Sequence, residues 1–271
     1  MPTWLAGAVV FFTSGSVLVL EILAGRLLAP YVGVRLETYT AIIGTVLAGI
    51  AVGSWLGGRL ADRVDPRRTL GPLMVAGGGL AMLSLPVVRA GGTPGTVQAD
   101  ATLLLAMSGF FAPAAVLSAV SPTVVKLQLR DLDVTGRLVG RLSALGTAGA
   151  IAGTYVAGFV LVAAASTSTV IITVGAALVV AGLLLWGGLA RTRPPATMVA
   201  LGVLTAVAAG GLASASDGPC DAETRYHSPG SSPTPPGPAD GHCGSTSSAT
   251  ATSTSTIRPI WNCATPRSSR T

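Results

Sequence analysis

Long, nearly uncharged apolar segments dominate this chain and limit the folds open to it. Only 10% of its 271 residues are charged, against about 25% in an ordinary soluble domain. A helix needs about 20 apolar residues to cross the hydrocarbon core of a bilayer, and seven segments meet that requirement. We therefore predict an all-α, polytopic membrane bundle of about seven transmembrane helices, with the lipid bilayer as its surroundings. The predicted spans are 4–28, 38–60, 70–88, 101–125, 138–164, 169–189 and 196–212.

Lys and Arg are unevenly distributed between the connections, and this bias predicts the orientation. Ten lie in the second-to-third, fourth-to-fifth and sixth-to-seventh connections, and only three lie in the alternate ones. Positive residues are retained in the cytoplasm, so we expect a multi-pass plasma membrane protein with a cytoplasmic N-terminus and its tail outside. The ten are Arg59, Arg63, Arg67, Arg68, Lys126, Arg130, Arg137, Arg141, Arg191 and Arg193; the three are Arg26, Arg35 and Arg89.

The same distribution argues against a nucleic-acid partner. The basic residues separate apolar runs and do not line one face, as a phosphate-binding surface would require. The three cysteines all follow the last span, with no CxxC pair and no His at ligand spacing, so we expect no metal site.

Two spans carry small residues at four-residue spacing. Such stripes let helix backbones approach closely in a membrane. Packing within the chain is the first interpretation; a dimer face or a transport path are the alternatives. The residues are Gly49, Gly53 and Gly57 in the second span, and Gly149, Gly153 and Ala157 in the fifth.

Glu21 lies well inside the first span, and Arg26 lies near its outer end. A charged group at that depth costs about 2.5 to 3.5 kcal/mol on insertion scales, so Glu21 should face the bundle interior and find a partner. Arg26 is five residues on, about 140° around the helix, so the two should not pair directly. A structural bond to another helix and a role in binding or proton handling both stay open for these two candidate functional residues.

The connection GRLADRVDPRR, residues 58–68, resembles the loop GxxxDRxGRR of the major facilitator superfamily. In that family the Asp and Arg contact neighbouring helix ends and stabilise one conformation; simple retention of positive charge in the cytoplasm explains the same residues. This chain has one extra residue, and Asp65-Pro66 stands where the family has Gly. The matching residues are Gly58, Asp62, Arg63, Arg67 and Arg68.

Residues 14–63, 121–129 and 136–161 together resemble the membrane domain of fused facilitator and spermidine synthase proteins. The resemblance implies facilitator-like helix packing and a polyamine as ligand. In that family the seventh helix leads to a motif like CDxETxYHC and then to a Rossmann-like aminopropyltransferase domain. Here CDAETRYH is present and the remainder is not. The residues of this truncated motif are Cys220, Asp221, Glu223, Tyr226 and His227.

After His227 the composition changes to Ser, Thr, Pro and Gly without helical or strand period, which predicts disorder. Suppose that the codon after His227 was TGC and lost its G, which would shift the reading frame. Restoring that G in a back-translation of the tail gives an amino-acid sequence that contains HSYVDLDDPTHLE, and this sequence resembles the family's next segment. We therefore expect a frameshift after His227. The predicted divisions are a transmembrane domain at 1–215, the start of a truncated synthase-like domain at 216–227, and a disordered, frameshifted tail at 228–271.

The predicted function depends on the aminopropyltransferase domain that the family has after the motif and this sequence does not show. The resemblance implies the membrane domain of a spermidine synthase-like protein without catalytic residues, inactive as a transferase by itself. No cofactor is expected in this chain, because decarboxylated S-adenosylmethionine would be the substrate of the missing domain. The alternatives are a small facilitator-like transporter, or a fragment of one, and a purely structural anchor. Seven helices fit poorly with a transporter built of two six-helix halves.

Overall fold

The computed structural model describes residues 2–33, 36–91, 99–129 and 135–189, and these residues are almost entirely helical. Six segments are long and apolar enough to cross a membrane. Four are single helices: α1 (Thr3–Val32), α2 (Leu36–Arg63), α3 (Pro66–Gly91) and α6 (Thr167–Leu189). The other two are composite: α4 joins Ala99–Ala106, Met107–Phe111, Ala112–Ser118 and Val120–Gln128, and α5 joins Thr135–Tyr155, Val156–Leu161 and Val162–Ala164.

The predicted all-helical bundle is confirmed for its first six spans, each of which overlaps one long helix. The seventh predicted span, 196–212, lies outside the described residues. The same is true of the truncated motif and of the tail after His227.

Helices α4 and α5 each contain a π-helical turn, Met107–Phe111 and Val156–Leu161. The turn in α4 lies just before Pro113, which has no N–H to donate to the preceding turn. A π turn is a common way for a helix to absorb such an interruption. The fourth span therefore crosses as one helical path despite its proline.

Three of the closest helix pairs are α1 with α5, α2 with α4, and α3 with α6; helix α3 also packs extensively against α4. Small residues bring the backbones of each pair together. In the first pair a Cβ added at Gly153 would lie 2.5 Å from the Gly15 carbonyl oxygen, and one at Gly149 would clash with the Phe11 carbonyl. Residue numbers rise together along these contacts, so α1 and α5 run parallel.

The α2–α4 pair repeats this geometry. A Cβ at Gly49 would lie 2.9 Å from the Phe111 carbonyl oxygen, and one at Gly53 would clash with the Ala115 carbonyl. Adding 100 to Phe11 and Gly15 gives Phe111 and Ala115, while subtracting 100 from Gly149 and Gly153 gives Gly49 and Gly53. The two interfaces are therefore copies of each other.

The third pair relates α3 to α6 in the opposite sense. A Cβ at Gly71 would lie 2.9 Å from the Gly182 carbonyl oxygen, and one at Gly78 would lie 2.5 Å from that of Gly175. Numbers rise along one helix as they fall along the other, so these helices are antiparallel. Adding 104 to Gly71 and Gly78 gives Gly175 and Gly182. This offset exchanges the two helices and leaves the pair of contacts unchanged.

The three pairs together define an internal repeat in which α1–α3 correspond to α4–α6. The equivalent helices α3 and α6 are antiparallel, so the two three-helix halves are inverted relative to each other. The pseudo-twofold axis that relates the halves is perpendicular to the helices, as in inverted-topology repeats of membrane transporters. Side chains keep the same correspondence. Arg59 stacks 3.8 Å from the centroid of the Trp55 ring, and Phe159 stacks on Tyr155 with ring centroids 6.0 Å apart.

Replacing Gly53 with Ala tests how much the fold depends on backbone contact. The added Cβ would meet the backbone of Ala115, so we expect a loss of about 1 to 3 kcal/mol and a lower melting temperature. Gly44, on the same helix, has open space around it. Gly44→Ala should leave the protein as stable or raise its stability by up to about 1 kcal/mol. Equal melting temperatures for the two variants in detergent would contradict this packing.

Candidate functional site: a hydroxyl-lined cleft

A cleft of about 310 Å³ lies among α1, α2, α4 and α5. Its lining comes from the N-terminal halves of α1 and α5 and from the C-terminal halves of α2 and α4. The cleft therefore lies toward one end of these four helices. Its wall combines aliphatic side chains with seven hydroxyl groups. These belong to Thr13, Ser14, Ser54, Ser118, Ser121, Ser143 and Thr147.

Two of these hydroxyls already donate their hydrogen within their own helix. Thr13 Oγ1 donates to the Val9 carbonyl at 2.9 Å, and Thr147 Oγ1 donates to the Ser143 carbonyl at 3.1 Å. A hydroxyl has one hydrogen and two lone pairs. The oxygens of Thr13 and Thr147 therefore keep their capacity to accept hydrogen bonds from a bound group.

Several hydroxyl residues of the cleft correspond to aliphatic residues in the other half of the repeat. The offset of 100 matches Ser143 with Ile43, Thr147 with Leu47 and Ser14 with Ala114. A void of about 10 Å³ in that region is lined by residues that include Val46, Phe110 and Pro113. The cleft therefore has hydroxyl side chains at positions where the other half of the repeat has aliphatic ones.

Glu21 lies on the cleft side of α1. It follows Val17 by four residues and Leu18 by three, which places it one turn further along the face that lines the cleft. The residue is partly buried. Among the residues that the structure describes, none forms a hydrogen bond or ion pair with its carboxylate, so the expected partner is not in this part of the chain. In the other half of the repeat its place is taken by Ser121, which lines the cleft.

Arg26 and Lys126 occupy equivalent positions at opposite ends of the bundle. Lys126 Nζ lies 2.6 Å from Asp62 Oδ1, joining α4 to the end of α2. Arg26 donates a hydrogen bond of 3.4 Å to the Val162 carbonyl, joining α1 to the end of α5. Both contacts are related by the offset of 100. The side chains of Lys126 and Asp62 are 48% and 67% exposed, so their ion pair should contribute only about 0 to 1 kcal/mol.

The facilitator-like loop is a tight turn between α2 and α3. Asp62 makes the contact with Lys126, whereas Arg63, Arg67 and Arg68 are exposed. Gly58 has open space around its Cα, so it is not required there for close packing. Its neighbours Gly49, Gly53 and Gly57 all face α4, and Gly149 and Gly153 face α1.

Asp65 and Pro66, where the loop departs from the facilitator pattern, begin α3. The Asp65 carboxylate accepts a hydrogen bond of 3.0 Å from the Arg67 backbone N–H, and the Asp65 carbonyl accepts one of 3.0 Å from the Thr69 hydroxyl. Pro66 is the first residue of the helix, where its missing N–H costs nothing. An Asp at the N-cap followed by Pro is a local helix start, and this explains the departure.

The truncated motif, Cys220, Asp221, Glu223, Tyr226 and His227, lies outside the described residues. Within residues 2–33, 36–91, 99–129 and 135–189 there is no group of three His, Cys, Asp or Glu side chains able to hold a metal ion. Comparison with family models, curated proteins and solved structures finds no match to this chain.

Substituting Asp65 tests the cap at the start of α3. Asp65→Ala removes the acceptor for the Arg67 N–H and should lower the free energy of unfolding by about 1 kcal/mol. Asp65→Asn keeps an oxygen in the same place and should stay close to the wild type. Chemical or thermal unfolding in detergent measures both. An Asn variant as unstable as the Ala variant would show that charge, not capping, is the relevant property.

Proposed function

We propose that residues 1–215 are the membrane domain of a spermidine synthase-like protein. The single observation that supports this proposal is the inverted repeat that relates α1–α3 to α4–α6, because three-plus-three inverted repeats also occur within facilitator halves. The stretches that resemble the fused proteins, 14–63, 121–129 and 136–161, fall on α1, α2, α4 and α5. They therefore coincide with the helices around the cleft.

The placement of the unit in the cell is part of the proposal. We place it in the plasma membrane, with the Lys126–Asp62 contact on the cytoplasmic side and the Arg26 contact on the other. The excess of Lys and Arg in the loops supports this orientation. The tail after His227 is then outside, and a frameshift is its proposed origin. Sequencing the coding DNA around codons 227 to 229 tests that origin.

A second candidate function is facilitator-like transport of a polyamine. The cleft favours it, because a hydroxyl-lined space in the membrane with a carboxylate near its end can receive a polar solute. The six long helices among the described residues are half the number in a facilitator, which favours an anchoring or regulatory role over independent transport.

Assays on the purified, reconstituted full chain separate these functions. We expect no aminopropyl transfer from decarboxylated S-adenosylmethionine to a diamine, because that reaction needs a Gly-rich turn that follows a strand, and the residues that the structure describes contain no strand. Mass spectrometry of the products measures the transfer, and uptake of labelled polyamine into the same vesicles measures transport. Product formation would overturn the proposed inactivity, and uptake that Glu21→Gln abolishes would favour the transporter.

A further inference from the structure

One face of α2 is exposed and changes from apolar to basic toward the end of the helix. Val52, Trp55 and Leu56 are exposed on it, and Arg59 and Arg63 continue the same face and are exposed as well. At 100° per residue all five lie within a sector of about 100°. The residues of α2 that line the cleft are on the opposite side of the helix. In a membrane this exposed face is in contact with lipid.

The change from apolar to basic side chains coincides with the end of the hydrocarbon core. Helix α2 has 28 residues, so it is about 42 Å long and exceeds a core of about 30 Å. The apolar span predicted at 38–60 ends beside Arg59. Trp55 lies one turn inside that end, and Trp is enriched at the interface between membrane and water. The two arginines are therefore at the level of the lipid headgroups.

Arg59 has a defined orientation, but its side chain has no hydrogen-bond acceptor. Its guanidinium carbon lies 3.8 Å from the centroid of the Trp55 ring, a cation–π contact. Neither Arg59 nor Arg63 forms a side-chain hydrogen bond or ion pair with a residue that the structure describes. Of the nearby acids, Asp62 pairs with a lysine of α4 and Asp65 caps α3. A guanidinium can donate two parallel hydrogen bonds to a phosphate, and both arginines keep these donors available.

The internal repeat places a similar face on α5 without the cations. Tyr155, Val156 and Phe159 are exposed there, and the Phe159 ring stacks on the Tyr155 ring with centroids 6.0 Å apart. Because the repeat is inverted, this face ends at the opposite side of the membrane. The two faces therefore share an exposed aromatic surface and differ in charge. At the offset of 100 the matched residues are Trp55 with Tyr155, Leu56 with Val156, Arg59 with Phe159 and Arg63 with Ala163.

We propose that this face of α2 is a binding site for an anionic phospholipid. Arg59 and Arg63 bind the phosphate of its headgroup, and Val52, Trp55 and Leu56 contact an acyl chain. Two cations without compensating acids favour a lipid with net negative charge over a zwitterionic one. A free phosphate ion would use the arginines only and would gain nothing from the apolar residues below them.

The proposed lipid site is distinct from retention of positive charge in the cytoplasm. Retention would place arginines at this end of α2 without selecting a lipid. The site also requires neither aminopropyl transfer nor transport, so it stands or falls separately from the proposed functions.

The internal repeat supplies matched variants for the test. Arg59→Phe combined with Arg63→Ala installs the residues that the other half of the repeat carries at the equivalent positions. Arg67→Gln combined with Arg68→Gln is the control, because it removes the same charge from exposed residues in the first turn of α3. Both double variants change exposed residues, so both should fold, and their melting temperatures verify this.

The experiment measures quenching of Trp55 fluorescence by lipids with brominated acyl chains. The full chain carries Phe in place of its other tryptophans, Trp4, Trp186 and Trp261. It is reconstituted in equal parts of phosphatidylglycerol and phosphatidylcholine, with one or the other lipid brominated. The ratio of the two quenching efficiencies gives the preference for the anionic lipid at Trp55. A second reporter with Trp55→Tyr and Tyr155→Trp measures the same ratio on the uncharged face of α5.

We expect phosphatidylglycerol to be preferred at least about threefold at Trp55, because each arginine near the surface favours an anionic lipid. The preference should fall to about onefold in Arg59→Phe/Arg63→Ala and stay within about 1.5-fold of its original value in Arg67→Gln/Arg68→Gln. At position 155 the ratio should be about one. Inorganic phosphate at constant ionic strength should leave the preference unchanged.

Four results would overturn the proposal. They are a ratio near one at Trp55, an unchanged ratio in a folded Arg59→Phe/Arg63→Ala variant, an equal loss in the control, and an equal preference at position 155. An equal loss in the control would show that the surface charge as a whole attracts the lipid. Loss of the preference in inorganic phosphate would overturn the assignment of a lipid as the ligand.

Discussion

Close contact between helix backbones is the constraint on which the rest of this structure depends. In a bilayer the lipid tails are as apolar as the helix surfaces, so helices associate through packing and not through exclusion of water. Gly and Ala provide that packing in these three helix pairs, where glycines such as Gly53, Gly78 and Gly153 lie against carbonyl oxygens of the partner helix. Larger residues at Gly53 or Gly153 would separate the pairs, and the cleft between α1, α2, α4 and α5 would lose its walls.

The inverted repeat gives the α1–α5 and α2–α4 pairs equivalent backbone contacts, and a hydroxyl-lined cleft lies among these four helices. Equivalent backbone contacts join α1 to α5 and α2 to α4. At opposite ends of the bundle, the equivalent cations Arg26 and Lys126 bind the ends of α5 and α2. The halves diverge at Ser143, Gly146 and Thr147, which line the cleft. A duplicated scaffold can tolerate such divergence because its stability comes from the glycine contacts, which both halves retain.

The amino-acid sequence predicts the six described spans well, because length and apolarity suffice to define a membrane helix. It also identifies the small-residue stripes, but it does not indicate which helices pack against them. A stripe predicts that another helix packs closely there, and not which one. Gly49 and Gly53 face α4, and no local pattern indicates that choice.

The internal repeat is also visible in the sequence. The segment GIAVGSWLGG at 49–58 corresponds to GAIAGTYVAG at 149–158, with three identical glycines and equivalent hydroxyl and aromatic residues. The hydroxyls of the cleft are less visible, because isolated Ser and Thr in apolar helices usually bond to their own backbone. Thr147 follows that pattern, because its hydroxyl donates to the Ser143 carbonyl, and only its place in the folded bundle shows that it lines the cleft.

Paired-cysteine cross-linking tests the inverted repeat most directly. In a variant without the native cysteines, one pair replaces Asp62 and Lys126, and the other replaces Arg26 and Val162. Short thiol cross-linkers should join each pair but neither mixed pair, 26 with 62 or 126 with 162. An impermeant thiol reagent should label positions 26 and 62 from opposite sides of sealed vesicles. Labelling of both positions from one side, or cross-linking of the mixed pairs, would contradict the repeat.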